Sequence, residues 1–498
     1  MEREEIVSRL RTSKLFIAPD ALDHLAGEHA GEALEIVNRI AERAKSPFVT
    51  RELVEETVGD MAEAQKAKSI VILQQADYAP AARDIEPQVR IHDEWDVTGK
   101  STCTGHVEDF VNYFRDRLAK ESTLLKSRPS DLGVTRISAL KQSMQKKNAR
   151  IVGMVWDKRV TKNGHTLVEI EDEEGSQPCL IPKDAPLALK EAANDIVFDE
   201  VLGFDGYLSN GLFIVKEIIW PDLPIREKKL VEDDVAIAFI SDLQIGSRYF
   251  MQDNFTKFLR FINGEDEQEK EIAGKIKYLC VAGDVVDGIG IYPEQEKELV
   301  TKDVYTQYEI FSQFMKSVPE HIQIIIGPGN HDAVRIAQPR PRLPAEFTKG
   351  FDGYSNIHLV GDPAFFELHG LRTMMFHGDG FFSLAANMPK LNGAYTNPER
   401  ACVEMLKKRH LSPVYGENPV VPERTDYLFL REVPDLVHFG HVHHNGYANY
   451  RGTTVINSGT WQSTTAYQLK QGHVPTPGQL PIYSARTGTL NVLEFGGE

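Results

Sequence analysis

Ile322-Gln-Ile-Ile-Ile-Gly-Pro-Gly-Asn-His-Asp332 is an apolar run that stops in glycines and then presents three polar side chains in a row. The β-branched, almost continuously apolar stretch from Ile322 to Ile326 predicts a central parallel strand covered on both faces. Gly327 and Gly329 predict a sharp turn at its carboxyl end, the edge where open α/β sheets place their sites. Asn330, His331 and Asp332 then stand at that edge. An amide carbonyl, an imidazole and a carboxylate suit a divalent metal and the anion bound to it.

The same arrangement recurs four times. Val235 to Ile240 ends in Ser241-Asp-Leu-Gln244, and Tyr278 to Ala282 ends in Gly283-Asp-Val-Val-Asp-Gly288. Thr373 to Phe376 ends in His377-Gly-Asp-Gly380, and Leu436 to Phe439 ends in Gly440-His-Val-His-His444. Each is a short apolar strand with metal-type ligands just past its end. Strand ends meeting at one sheet edge can supply about seven N or O ligands, enough for the two-metal geometry of phosphoester hydrolysis. His441 and His443, two apart on extended backbone, are expected to project to the same side.

The series Asp-x-Gln, Gly-Asp-x-x-Asp, Gly-Asn-His-Asp, His and Gly-His-x-His resembles the calcineurin-like metallophosphoesterase superfamily, whose first motif is ordinarily Asp-x-His; Gln244 stands in place of that histidine. The words Gly283 to Tyr292, Gly329 to Arg335, Asn457-Ser-Gly-Thr-Trp-Gln462 and Glu94-Trp-Asp-Val-Thr-Gly-Lys-Ser-Thr-Cys103 further resemble the small, exonuclease subunit of the archaeal D-family DNA polymerase. The likeness runs from about Asp84 onward and is weakest in the first seventy residues.

That resemblance implies a C-terminal calcineurin-like α/β sandwich and a set of roles. Asp242, Asp284 and His443 would bind one metal, with Gln244 as a weak additional ligand; Asp284, Asn330, His377 and His441 would bind the second. Asp284 bridges, His331 lies over the phosphate as charge stabiliser or general acid, and Arg335 is a candidate phosphate or DNA contact. The implied cofactors are two divalent ions, Mn²⁺ first, with Fe²⁺, Zn²⁺ or Mg²⁺ as alternatives. Implied partners are the large catalytic subunit, DNA and, as a further candidate, the sliding clamp. The implied activity is a proofreading 3′-to-5′ exonuclease preferring single strands or mismatched ends. The alternative is a weakly active or inactive scaffold subunit, because an amide oxygen donates less well than imidazole to a transition metal. Asp287 and Asp379 are expected as supporting or turn-stabilising carboxylates. His321, His358, His369, His438 and His444 are expected as ordinary half-buried histidines.

A chain of 498 residues, 41% hydrophobic and 26% charged, has the balance of a soluble multi-domain protein. Its net charge of −17 is unlike that of a free-standing DNA binder, so cations and a basic partner would have to offset it. The four cysteines show no Cys-x-x-Cys spacing and predict free thiols in a reducing cytoplasm. No apolar run approaches membrane-spanning length, and Met1-Glu-Arg-Glu-Glu5 does not read as a signal peptide.

Residues 1–72 predict a small helical domain, with Pro19 and Asp20 opening one helix and Thr50 capping another. Residues 73–130 predict a linker, broken around Pro80 and Pro87, and then an amphipathic helix with the stripe Val107, Phe110, Val111, Phe114 and Leu118. Residues 131–228 give strand, strand, strand, helix, strand, strand, the order of an OB-fold, with an Asn163-Gly164 hairpin. Its acidic strands and single tryptophan, Trp156, favour protein docking over direct single-strand binding. The basic run Lys141 to Arg150 reads as a solvated linker, and residues 229–498 hold the phosphoesterase motifs.

Overall fold

The computed structural model describes residues 3–44, 46–68, 78–142 and 147–496. At the amino end, helices Arg3–Thr12, Pro19–Gly27, Ala33–Arg43 and Arg51–Lys68 pack around Ile6, Leu10, Leu25, Ile36, Val37 and Val54. Pro19 opens its helix, and Thr50 Oγ1 accepts from the Leu53 N–H at 3.3 Å, capping the next. This bundle leans on helix Val304–Lys316 through Arg51–Lys68, held by the ion pair Arg39–Glu309 and by Asp60, which accepts from the Lys302 N–H at 2.9 Å.

The linker expected from about residue 75 to 94 reads differently. Residues 75–77 lie outside the described residues, but Val89–Ile91 is an edge strand, antiparallel to Ala364–Leu368. Pro87 precedes it where no ladder bond is needed. Helix Val107–Lys126 is present, with its buried face rotated from the apolar stripe. Val107 is 74% exposed, whereas Tyr113, Arg117, Glu121 and Leu125 are buried. The Arg117 guanidinium donates to Asp426 at 2.9 Å, to Tyr113 Oη at 2.8 Å and to the Pro413 carbonyl at 2.7 Å. A buried polar cluster seats this helix between the barrel and the C-terminal region together with part of the stripe: Phe114 and Leu118 pack with Leu125 against Val152, Met154 and Val201, and Phe110 and Phe114 meet Tyr415 edge-on.

Strands Asn148–Val160, Thr166–Asp172, Gly175–Ile181, Leu212–Ile219 and Val201–Ser209 close, in that spatial order, into a barrel filled by Ile151, Val155, Val168, Ile170, Phe204 and Phe213. Gly164 takes φ +81° at the first hairpin. Helix Leu187–Asn194 lies between the third and fourth strands in sequence. Trp156 is 66% exposed, and Arg150 is buried in a two-pronged pair with Asp205 at 2.7 and 2.8 Å, so its charge faces the protein rather than solvent. Residues 143–146 of the basic run lie outside the described residues.

The C-terminal region stacks two six-stranded mixed sheets. One runs Ile357–Leu359, Gln323–Gly327, Ile276–Ala282, Ala236–Ile240, Gln479–Ser484, Leu490–Glu494; the other runs Gly446–Tyr450, Thr453–Asn457, Leu436–Phe439, Leu371–Phe376, Ala364–Leu368, Val89–Ile91. Ile237, Phe239, Cys280 and Ile325 of the first meet Phe366, Met375, Leu436 and Ile456 of the second in a dry interlayer. Helices cover both outer faces, with Phe255, Phe258 and Phe314 on one side and Leu384, Met405 and Leu406 on the other. Burial on both faces explains why these strands are almost wholly apolar. Within each sheet the ligand-bearing strands run parallel, so their carboxyl ends gather at one edge.

Candidate metal centre at the strand ends

Asp242, Asp284, Asn330, His377, His441 and His443 meet where the two sheets present their carboxyl ends. Asp284 is the hub. Its Oδ1 accepts from the His331 N–H at 2.8 Å, and its Oδ2 accepts from Gln244 Nε2 at 3.0 Å and lies 3.4 Å from His377 Nε2. Asp242 Oδ2 accepts from the His441 N–H at 2.9 Å, while Oδ1 faces His443 Nε2 at 3.3 Å. His377 Nε2 sits 3.0 Å from Asn330 Oδ1 and 3.1 Å from His441 Nδ1.

The backbone is shaped to deliver these groups. Asp242, Gln244, Asp284, His441 and His443 all take φ between 51° and 69°, the left-handed region that side chains with a Cβ rarely adopt. Such conformations cluster at sites where surrounding structure enforces them. His441 and His443 thus face the cluster from left-handed turns rather than from the extended backbone expected. Gly329 has no positive φ; its place is fixed by close approach, since a Cβ there would lie 2.1 Å from Asp284 Oδ1.

Electrostatics point the same way. His377 donates Nδ1–H to the Ala282 carbonyl at 2.8 Å, so Nε2 is the atom turned to the cluster. Burial opposes charge on this ring, yet the Asp284 and Asp242 carboxylates hold its pKa well above the usual value. Burial likewise pushes Asp284 up, and His377 with His331 holds it well below the carboxylate range. Burial lowers His441 to about 4, which leaves its ring a neutral donor. Asp242 Oδ1 and Gln244 Oε1 are buried without hydrogen-bond partners. Oxygen and imidazole acceptors that face one another around stabilised positive charge fit divalent cations in their midst.

His331 donates Nδ1–H to the Asp287 carbonyl at 2.9 Å and holds Nε2 3.9 Å from Asp284 Oδ2, beside the cluster. Burial works against its protonation, while Asp284 and Asp287 raise its pKa overall. Asp332 turns away from the edge and staples the loop, accepting from the Gly329 N–H at 2.7 Å and from Tyr308 Oη at 3.0 Å. Asp379 and Asp362 clamp the fully buried Arg340, and Asp362 Oδ1 accepts from the His377 N–H at 2.8 Å, fixing that ring's strand.

Arg335 does not reach the cleft. Its guanidinium is taken by Glu423 at 3.0 Å, by Ser101 at 3.0 Å and by the Pro339 carbonyl at 2.7 Å. In this structure its charge is held by Glu423, a buried carboxylate distant in sequence, rather than turned into the cleft where the phosphate contact was expected. Glu423 also accepts from the Thr102 N–H at 2.7 Å, so Arg335 and Glu423 together dock the Glu94-to-Cys103 word.

Above the cluster lies a cleft of about 580 Å³. Its walls are aromatic: Tyr292, Phe382, Tyr395, Tyr467 and His473 line it, and among the described residues no lysine or arginine does. His473 stacks on Tyr395 with ring centres 4.7 Å apart. Gln468 donates to His443 Nδ1 at 2.8 Å and, through its carbonyl, caps its own short helix at the Thr465 N–H. Among these only Tyr292 lay within a stretch the sequence singled out; the others arrive from segments carrying no motif.

A two-layered α/β region with a cluster of potential metal ligands at its strand ends defines the class of chain, and comparison with known proteins places it. The family model that describes the B subunits of DNA polymerase alpha/epsilon matches residues 237–448. The DNA polymerase II small subunit of Methanocaldococcus jannaschii is 41% identical over 406 residues, covering 80% of this chain and 68% of that protein. The proteins of the same name from Methanothermobacter thermautotrophicus and Archaeoglobus fulgidus are 39% and 37% identical, covering 84% and 81% of this chain and 84% and 80% of their own lengths. The chain belongs to the family of archaeal DNA polymerase II small subunits, the small subunit of the family-D DNA polymerase.

Proposed function

We propose that this subunit carries the polymerase's proofreading site, a 3′-to-5′ exonuclease that hydrolyses DNA phosphodiesters at unpaired ends. The observation that carries this reading is the convergence of Asp242, Asp284, Asn330, His377, His441 and His443 from five strand ends, with buried acceptor atoms turned toward one another. Asp242 and His443, with Gln244, would hold one divalent cation; Asn330, His377 and His441 would hold the other, with Asp284 shared. Bound there, such ions supply Lewis acidity to a phosphodiester and to an attacking water, with Mn²⁺ the first choice for this N/O donor set.

The chain's own residues set the remaining steps. His331 is held by the Asp287 carbonyl with Nε2 toward the cluster, where it can place a proton on the departing sugar oxygen. The Ala282 carbonyl fixes the His377 ring, while Asp362, paired with Arg340, holds the His377 backbone N–H. The aromatic walls can stack unpaired bases, whereas a paired end, with its bases buried in the duplex, offers no free faces to them. That favours single strands and mismatched termini over paired ends. The large catalytic subunit would supply the basic surface that this acidic chain lacks.

One observation favours the scaffold reading: Gln244 presents its amide N–H₂, not its carbonyl, to Asp284. The deciding experiment is Mn²⁺-dependent digestion of a 5′-labelled single strand by the chain with its large subunit. Wild type should shorten the strand stepwise, and Asp284→Ala should be inert while remaining folded and in complex. Equal cleavage by both would assign the activity elsewhere, and cleavage by neither would leave the scaffold role.

A further inference from the structure

Far from the strand ends, at the carboxyl end of helix Pro19–Gly27, a second group of metal-type side chains lies outside the region matched by the polymerase family model. His24 is 8% exposed, yet neither of its ring nitrogens makes a hydrogen bond. Glu28 continues the helical backbone at φ −74° and ψ −26°, so His24 and Glu28, four apart, share a face. Glu28 Oε1 approaches His24 Nδ1 at 3.5 Å, and the His29 ring stands edge-on with its centre 4.9 Å from that of His24. One ligand atom from each of His24, Glu28 and His29 fits within 4.8 Å of the others.

We infer that His24, Glu28 and His29 form a divalent-cation site of the zinc class in the helical domain. Two imidazoles and a carboxylate are the donor set of three-ligand zinc sites that leave one position open, and Glu28 and His29 give the ion access from solvent. Burial of an imidazole without partners is costly, and an ion on Nδ1 satisfies the ring. The other nitrogen, Nε2, lies 3.8 Å from Glu55 Oε1, beyond hydrogen-bond reach, so this carboxylate stands behind the ring as a nearby negative charge that favours a cation on it. Glu55 comes from helix Arg51–Lys68 and is held by Arg51 Nε at 2.8 Å, so the site adjoins a second helix of the bundle. That is the bundle which leans on helix Val304–Lys316.

The test uses the full chain carrying Asp284→Asn and His377→Ala, so that metal at the strand ends does not enter the count. After equilibrium dialysis against Zn²⁺, elemental analysis should give one zinc per chain, and added Zn²⁺ should raise the thermal midpoint. His29→Ala, at a half-buried position, and Glu28→Gln, at an exposed one, each with unchanged circular dichroism, should lose that zinc and the midpoint shift. Glu55→Gln should keep the site but weaken it roughly 10- to 100-fold. Equal zinc in parent, His29→Ala and Glu28→Gln would overturn the assignment, as would a parent that binds none.

Discussion

Gln244 is the residue on which the chemistry turns. Its Nε2 donates to Asp284 Oδ2 and its Oε1 is buried without a partner, so the amide must reverse to offer oxygen to a cation. Gln244→His restores a stronger donor, and it should raise hydrolysis most at low Mn²⁺ with less gain at saturation. Side-by-side metal titrations of the two proteins check this; a loss of activity at every concentration would mean the ring crowds Asp242 instead. His331 should affect rate more than metal content, because it touches Asp284 and the Asp287 carbonyl from beside the cluster. His331→Ala should retain wild-type Mn²⁺ by elemental analysis while losing roughly 10²- to 10⁴-fold in turnover. The residues that meet at the centre were legible because each follows directly on an apolar strand. Gln468, Tyr395 and His473 were not, since nothing local marks a side chain brought in by a loop. Arg335 was misread for the converse reason: Glu423, which claims it, adjoins it only in the fold.

At the scale of elements, a buried ion pair joins the apolar contacts of Phe114 and Leu118 in seating the helix Val107–Lys126. Arg117→Ala would strand Asp426, whose carboxylate burial would push up but which His410 and Arg117 hold well below its usual range. A destabilisation of about 3–5 kcal/mol is expected, read as a fall in the unfolding midpoint. The amphipathic pattern revealed that helix and the half-buried side of Phe110, Phe114 and Leu118, but not the line of deepest burial, which runs through the polar Arg117 and Glu121. In the same way, the alternating strands of 148–219 announced a barrel, while Val89–Ile91 escaped notice as a three-residue edge strand between prolines and helical turns. The contact between the helical bundle and the C-terminal region has a pH signature. Burial pushes Asp60 up to about 7. A carboxyl with a folded pKa above its unfolded value binds more protons when folded, so its ionisation lowers stability as pH rises from about 4 through about 7. Thermal midpoints of wild type and Asp60→Asn should therefore lie closest at or below about pH 4 and diverge progressively up to about pH 8, with the variant the more stable.

Over the whole molecule, the net charge is −17, and the cleft above the strand ends is walled by aromatics with no lysine or arginine among the described residues, so the proposed DNA substrate would gain little attraction from this chain's own charge. Among the described residues, no helix is long and apolar enough to cross a membrane. The family's fold carries the ligand edge, and the sequence repeats that edge five times, which is why the centre could be read before the sheets were seen. What the linear pattern could not convey is which loops wall the cleft, since Tyr395, Tyr467 and His473 reach it only through the fold. The most direct measurement of the central claim uses the two-subunit complex on 5′-labelled primers that end either in a matched pair or in a mismatch, with Mn²⁺ present and nucleotides withheld. Wild type should release nucleotides from the 3′ end, faster from the mismatched primer, and Asp284→Ala should leave both intact. Undiminished shortening by the Asp284→Ala complex would contradict the account.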